Sequence, residues 1–138
     1  MSGDPAHEAW GLFFQLMMKN RTRFAAVNEE LRLAPLDGHL LHVLDEQGPL
    51  SMSDVAERVY CDPSYVTAMV DRLEARGLVE RQQHERDRRV KLLAVTPAGR
   101  DLHKRFRKLM SDPPKELKAL SEADRRELRN ILRRAVAD

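Results

Sequence analysis

The stretch Asp62-Pro63-Ser64-Tyr65 constrains the fold more than any other part of the chain. The aspartate offers a side-chain oxygen to the first free amides of a helix, and proline costs nothing at the first helical position, where its missing N–H has no partner to lose. The helix begun there runs to Arg76 and stops at Gly77, and Val66, Met69, Val70 and Leu73 fall at i, i+3, i+4 and i+7 as one buried stripe. The opposite face is unusual. Ser64, Thr67, Ala68, Asp71, Arg72 and Ala75, with Tyr65 at the margin, are small or hydrogen-bonding at the start, where a solvated helix favours Glu and Lys. Such a low surface lets a helix come close to a large partner. Just upstream, Ser53 reads as the N-cap of a short helix carrying Val55, Ala56 and Val59 and ending near Tyr60-Cys61. Two helices with so tight a turn between them describe a helix-turn-helix whose second member fits a major groove.

Two strands follow, over 78–83 and 89–95, joined through a loop at 84–88 that contains no Gly or Asn, which predicts a long protruding hairpin rather than a two-residue turn. Its tip, His84-Glu85-Arg86-Asp87-Arg88-Arg89-Val90-Lys91, packs four basic side chains into eight residues. At the end of a β-wing, Arg86, Arg88, Arg89 and Lys91 reach phosphates or a minor groove, while Asp87 holds a neighbouring arginine in one rotamer. The charge distribution agrees: residues 1–71 hold five basic against eleven acidic side chains, and residues 72–108 hold twelve against five. A basic block between acidic or neutral stretches is the footprint of a surface that meets a polyanion, or merely of a solvated one.

On either side lie helices. Residues 6–32 read as one long helix whose apolar residues between Trp10 and Met18 cover nearly the whole circumference, more than one small core buries. That helix either meets a second subunit or threads through its own domain. A helix over 36–45 carries Leu40, Leu41 and Leu44 and closes at Gly48-Pro49, with a connector at 50–52. Thr96-Pro97 restarts a helix with Leu102, Phe106 and Leu109 on its buried side, ended by Asp112-Pro113-Pro114. A last helix begins at Ser121, with Asp124 at the capping-box position, and carries Leu128, Ile131, Leu132, Ala135 and Val136 as an apolar stripe. Leu12, Leu16, Leu128, Ile131, Leu132 and Ala135 are the expected two-fold interface.

With 138 residues the chain has the size of one domain. No run is apolar enough for a bilayer and no signal-peptide pattern follows Met1, so no membrane association and a cytoplasmic location are expected. Cys61 stands alone, reads as a small buried thiol, and permits no intrachain disulfide. There is no glycine-rich phosphate loop, G-x-S-x-G or H-E-x-x-H, so neither enzymatic chemistry nor a cofactor is expected. His39 and His42, at i and i+3, offer two metal donors where zinc needs three or four, and no metal site is assigned.

The order helix, helix, helix-turn-helix, wing, helix, helix resembles the multiple antibiotic resistance regulator (MarR) family. So do the residues of "VTAMVDRLEARGLVERQQHERDRRVKLLAVTPAG", including the D-x-R pattern at Asp87 and Arg89 and the close Val95-Thr96-Pro97-Ala98-Gly99. The resemblance implies a mainly α fold with a small β-wing, a single domain over 1–138. A winged helix-turn-helix lobe spans about 34–97, and the dimerisation lobe is built from helices in 6–32 and 98–138. It implies a homodimeric, sequence-specific DNA-binding transcriptional regulator, a ligand-responsive repressor on a pseudo-palindromic operator. Arg89 matches the wing arginine of the family that enters the minor groove and Asp87 its supporting acid. Ser64, Tyr65, Thr67 and Ala68 match the start of the recognition helix, with Arg72, Arg86, Arg88 and Lys91 completing the DNA-facing set. Peroxide-sensing members carry their cysteine in the first helix, so that chemistry does not carry over to Cys61. A small lipophilic or phenolic effector is also implied. Trp10, Phe14, His39 and His42 are the candidate lining for it, or plain core. The alternative function is a winged helix that contacts protein or RNA.

Overall fold

In chain order the elements are α1 (Pro5–Lys19), α2 (Arg21–Leu31), α3 (Asp37–Gln47), β1 (Leu50–Ser51), α4 (Met52–Val59), α5 (Pro63–Ala75), β2 (Val79–Gln83), β3 (Lys91–Val95), α6 (Pro97–Ser111), α7 (Lys115–Lys118) and α8 (Glu122–Val136). They come from a computed structural model that describes residues 3–137. The chain divides into two compact units: Arg21–Leu109, and Met1–Asn20 together with Met110–Asp138.

The core belongs to the central unit. Leu40, Leu41 and Leu44 of α3, Val55 of α4, Val66, Met69, Val70 and Leu73 of α5 and Leu93 of β3 are all at most 1 % exposed. Each fully buried Leu or Met removes enough apolar surface from water to contribute about 1.5–3 kcal/mol, so the α5 stripe alone is a large share of the unit's stability. The strands form one antiparallel sheet in the order β1-β3-β2, with Leu50 opposite Leu93 and Val79 opposite Val95. The sequence placed 50–52 as a connector. It is instead β1 running directly into α4, because pairing with β3 holds Ser51 extended and makes it the cap: its Oγ accepts from Asp54 N at 3.2 Å. The cap expected at Ser53 therefore moves two residues earlier.

Both ends of α5 form as their residues predict. Asp62 accepts from Ser64 N at 2.9 Å, and beyond Arg76 the glycine at 77 turns left-handed (φ 72°) while Leu78 N donates to Leu73 O at 3.0 Å. The chain then folds β3 back onto this exit. Thr96 donates its hydroxyl to Gly77 O at 2.6 Å and accepts from Gly99 N at 3.1 Å, so it caps α6 and fastens it to the end of α5. Only glycine fits three residues later, since a Cβ on Gly99 would lie 2.7 Å from Val95 Cγ2 and closer still to Leu78 O. On α6 the sequence expected Leu102, Phe106 and Leu109 to be buried. They are half-buried, and the enclosed residues are Gly99 and His103. Phe106 covers the backbone of Gly38, which has no room for a Cβ, and the His103 ring packs tilted at 45° against that of His42, 5.3 Å between ring centres.

The terminal unit holds α1, α7 and α8. The single helix expected over 6–32 is two, broken at Asn20, whose side-chain amide donates to Leu16 O at 2.9 Å and whose backbone amide donates to Met17 O at 3.1 Å. Side chains of this kind compete for helical carbonyls and so end helices. The short α7 was not foreseen. Ser121 caps α8 as expected, accepting from Asp124 N at 3.1 Å. No residue of α1 is buried, which overturns the reading of this helix as threaded through its own domain: Trp10 is 75 % and Phe14 61 % exposed.

Two outcomes follow from these contacts. Gly99→Ala should lower stability by about 1–3 kcal/mol through overpacking against Leu78 O, read as an earlier urea midpoint. His103 lies 3.3 Å from Asp45 Oδ2 without the alignment of a hydrogen bond, and its burial lowers its affinity for a proton despite that carboxylate. A histidine that takes up protons more readily when unfolded leaves the fold at full stability above the ordinary imidazole range and weakens it as pH falls below. The urea midpoint should thus drop on acidification from neutral pH, and His103→Gln should flatten that dependence.

Candidate nucleic-acid interface

The polar face of α5 is pinned locally, by its N-cap side chain and by its own backbone. Ser64 Oγ donates to Asp62 Oδ1 at 2.6 Å, and the same pair keeps the Asp62 carboxyl below its usual proton affinity. Thr67 Oγ1 donates to Pro63 O at 3.0 Å. With both hydroxyl hydrogens spent locally, this surface offers acceptor lone pairs together with the methyls of Thr67 and Ala68. Ser64, Tyr65, Thr67 and Ala68 are all exposed, as the stripe on the other side requires. Arg72 is placed differently from its neighbours. It reaches the buried carboxylate of Asp37 at 3.2 Å, and Asp37 also accepts from Ala34 N at 2.8 Å, so Arg72 fastens α5 to the start of α3.

The wing joins this helix through a residue that the sequence reading missed. Arg81, on β2, donates to Asp71 Oδ1 at 2.8 Å and to Glu74 Oε1 at 2.5 Å, and its hydrogen bond to Asp71 is the main reason its proton is held more tightly than usual. The signal was the strand's period of two: Val79 buried, Glu80 exposed, Arg81 half-buried. At the tip, Asp87 Oδ1 accepts from Arg89 N at 3.1 Å and Arg89 Nε at 3.2 Å. The Arg89 side chain remains 93 % exposed, held at its base and free at its end. Arg86, Arg88 and Lys91 are exposed around it. The strands are shorter than predicted by one or two residues, so the tip spans 84–90, closed by His84 N to Val90 O at 3.1 Å.

The candidate effector residues fall in different units, two in each. His39 is exposed and His42 half-buried in the central unit, beside a shallow cleft of about 400 Å³ shared with Glu46, Arg58 and Tyr60. Trp10 and Phe14 belong to the terminal unit and are exposed. None of the four is plain core. Cys61 is half-buried rather than enclosed, its thiol donating to Val59 O at 3.3 Å. Among the described residues no group of three or more His, Cys, Asp or Glu is arranged to hold a metal ion. No helix among them is long and apolar enough to cross a membrane.

The family model described as MarR family matches residues 33–91, from the approach to α3 through the wing. The transcriptional repressor MdtR of Bacillus subtilis is 39% identical over 71 residues, covering 51% of this chain and 46% of that protein. A second Bacillus subtilis regulator, YcgE, is 33% identical over 69% of this chain and 65% of its own length, so the chain spans about half to two thirds of these curated relatives. The crystal structure of YusO from the same organism superposes with a TM-score of 0.74 at 29% identity, covering 98% of this chain and 97% of that one. BpsR of Bordetella bronchiseptica, a structure concerned with regulation of its DNA binding by 6-hydroxynicotinic acid, gives 0.72 at 25% identity over 100% and 97%. The matched stretch holds the helix-turn-helix and the hairpin that follows it, the fold of the whole chain is that of these solved structures, and the chain belongs to the MarR family of winged-helix regulators.

Proposed function

We propose that the chain is a cytoplasmic, non-enzymatic transcriptional regulator, a homodimeric repressor that binds an inverted repeat in duplex DNA and answers to a small lipophilic or phenolic effector. The observation that carries the DNA reading is the Arg81 bridge. A recognition helix and a cationic hairpin locked to each other form one rigid probe, with α5 suited to a major groove and Arg89 to the adjoining minor groove. The acceptor-and-methyl surface of Ser64, Thr67 and Ala68 suits base edges that present a donor or a thymine methyl. MdtR is named as a repressor, and BpsR has DNA binding regulated by a small aromatic acid, which supports extending both properties to this chain.

Dimerisation is supported by apolar surface that the described residues leave uncovered. Leu12 is 59 % exposed and Ile131 44 %, while Leu117, Leu128 and Leu132 floor an apolar groove of about 430 Å³ rimmed by Lys118, Arg125, Arg129 and Arg133. Leu16 is half-buried and Ala135 exposed on the same two helices. Patches of this kind on a regulator are ordinarily an interface. A two-fold pair sets its recognition helices about 34 Å apart, one turn of duplex.

Gel shifts against the promoter region upstream of the chain's own gene test the DNA reading. Affinity should fall steeply with salt, and Arg89→Ala should weaken binding by about 1–3 kcal/mol; unchanged affinity removes the wing from the interface. Sedimentation tests the dimer. Wild type should run as a dimer at micromolar concentration, and Leu132→Arg should give a monomer of unchanged helical content that no longer shifts the duplex.

A further inference from the structure

The wing tip contains a histidine used in an unusual way. His84 Nδ1 accepts two backbone amides, from Arg86 at 3.1 Å and from Asp87 at 3.3 Å. Accepting at Nδ1 puts the ring proton on Nε2. The geometry is that of an Asx turn, in which a side-chain oxygen two or three residues earlier satisfies successive amides, with an imidazole nitrogen in the oxygen's place. The contacts then form a relay. His84 fixes the backbone of Asp87, Asp87 Oδ1 fixes both the amide and the Nε of Arg89, and Val90 N returns to Asp87 O at 3.0 Å. The loop has no glycine and no proline to hold its shape. Its conformation rests on these acceptors.

We propose that His84 is the positioning residue of the wing, setting the direction of Arg89 through Asp87 without itself touching DNA. The proposal rests on the reading of the wing as a DNA-binding element. Arg89 stands in solvent, so its conformational freedom is lost either when the tip folds or when DNA binds. A tip already folded by His84 removes part of that cost from the binding step.

The variants are His84→Ala, His84→Asn, Arg89→Ala and the double replacement His84→Ala/Arg89→Ala, measured by gel shift on the upstream duplex and by amide exchange of free protein. His84→Ala should weaken binding about three- to ten-fold. His84→Asn, whose Oδ1 takes the place of Nδ1, should restore most of it. Added to Arg89→Ala, His84→Ala should cost little more, because a residue that acts through Arg89 has nothing left to position. Without DNA, His84→Ala should speed exchange at the amides of Arg86 and Asp87 and His84→Asn should not. Equal losses from His84→Ala with and without Arg89 overturn the proposal, as does an asparagine no better than alanine. Should Arg89→Ala leave affinity unchanged, the DNA reading of the wing fails and this proposal with it. Exchange then still decides separately whether His84 holds the tip.

Discussion

The guanidinium of Arg81 reaches from β2 to both Asp71 and Glu74 on the exposed side of α5, and much of what this chain can do depends on that contact. A hairpin attached to its domain only by two short strands swings with thermal motion, and a swinging cation is a poor reader of a groove. One planar group holding two carboxylates on successive turns removes that freedom. Isolated surface pairs contribute little, about 0–1 kcal/mol, but Arg81 is only 30 % exposed and has two partners in fork geometry, the circumstance in which such contacts fix orientation. Its contribution is to geometry more than to stability.

Similar fastenings recur through the central unit. Arg72 and Asp37 tie α5 to α3, Arg76 donates to the carbonyls of Arg32 and Leu31 at the end of α2, and Thr96 joins the exit of α5 to the start of α6. Each joins α5 to a different neighbour through a polar contact at the edge of an apolar core. Packing supplies the cohesion and these contacts supply the register. The buried carboxylate of Asp37 would be costly without a partner, so the bond to Arg72 is constraint as well as stabilisation.

The terminal unit follows the opposite logic. Its helices are well capped by Asp4 and Ser121, yet no residue of α1, α7 or α8 is buried among the described residues. Caps determine where such helices start. They provide no apolar partner, and Trp10, Phe14 and Leu12 stay exposed on a helix whose start is nevertheless fixed.

Features set by local chemistry could be read directly from the chain. The cap and stop of α5, its buried stripe, the proline-led start of α6, the Ser121 cap and the paired Asp87 and Arg89 all depend on residues within a turn or two of each other, where spacing is geometry. Tertiary structure decided the rest. Ser51 rather than Ser53 became the cap of α4 because β3 lay beside it, His103 rather than Leu102 was enclosed because α3 supplied Asp45 and His42, and Arg81 found Asp71 and Glu74 through the packing of β2 on α5. Asn20 broke a helix that periodicity carried through, since one side-chain amide captured a carbonyl. In each case a partner distant in sequence, or a single competing hydrogen bond, outweighed a local preference of about 1 kcal/mol or less, which is as much as propensity alone commands.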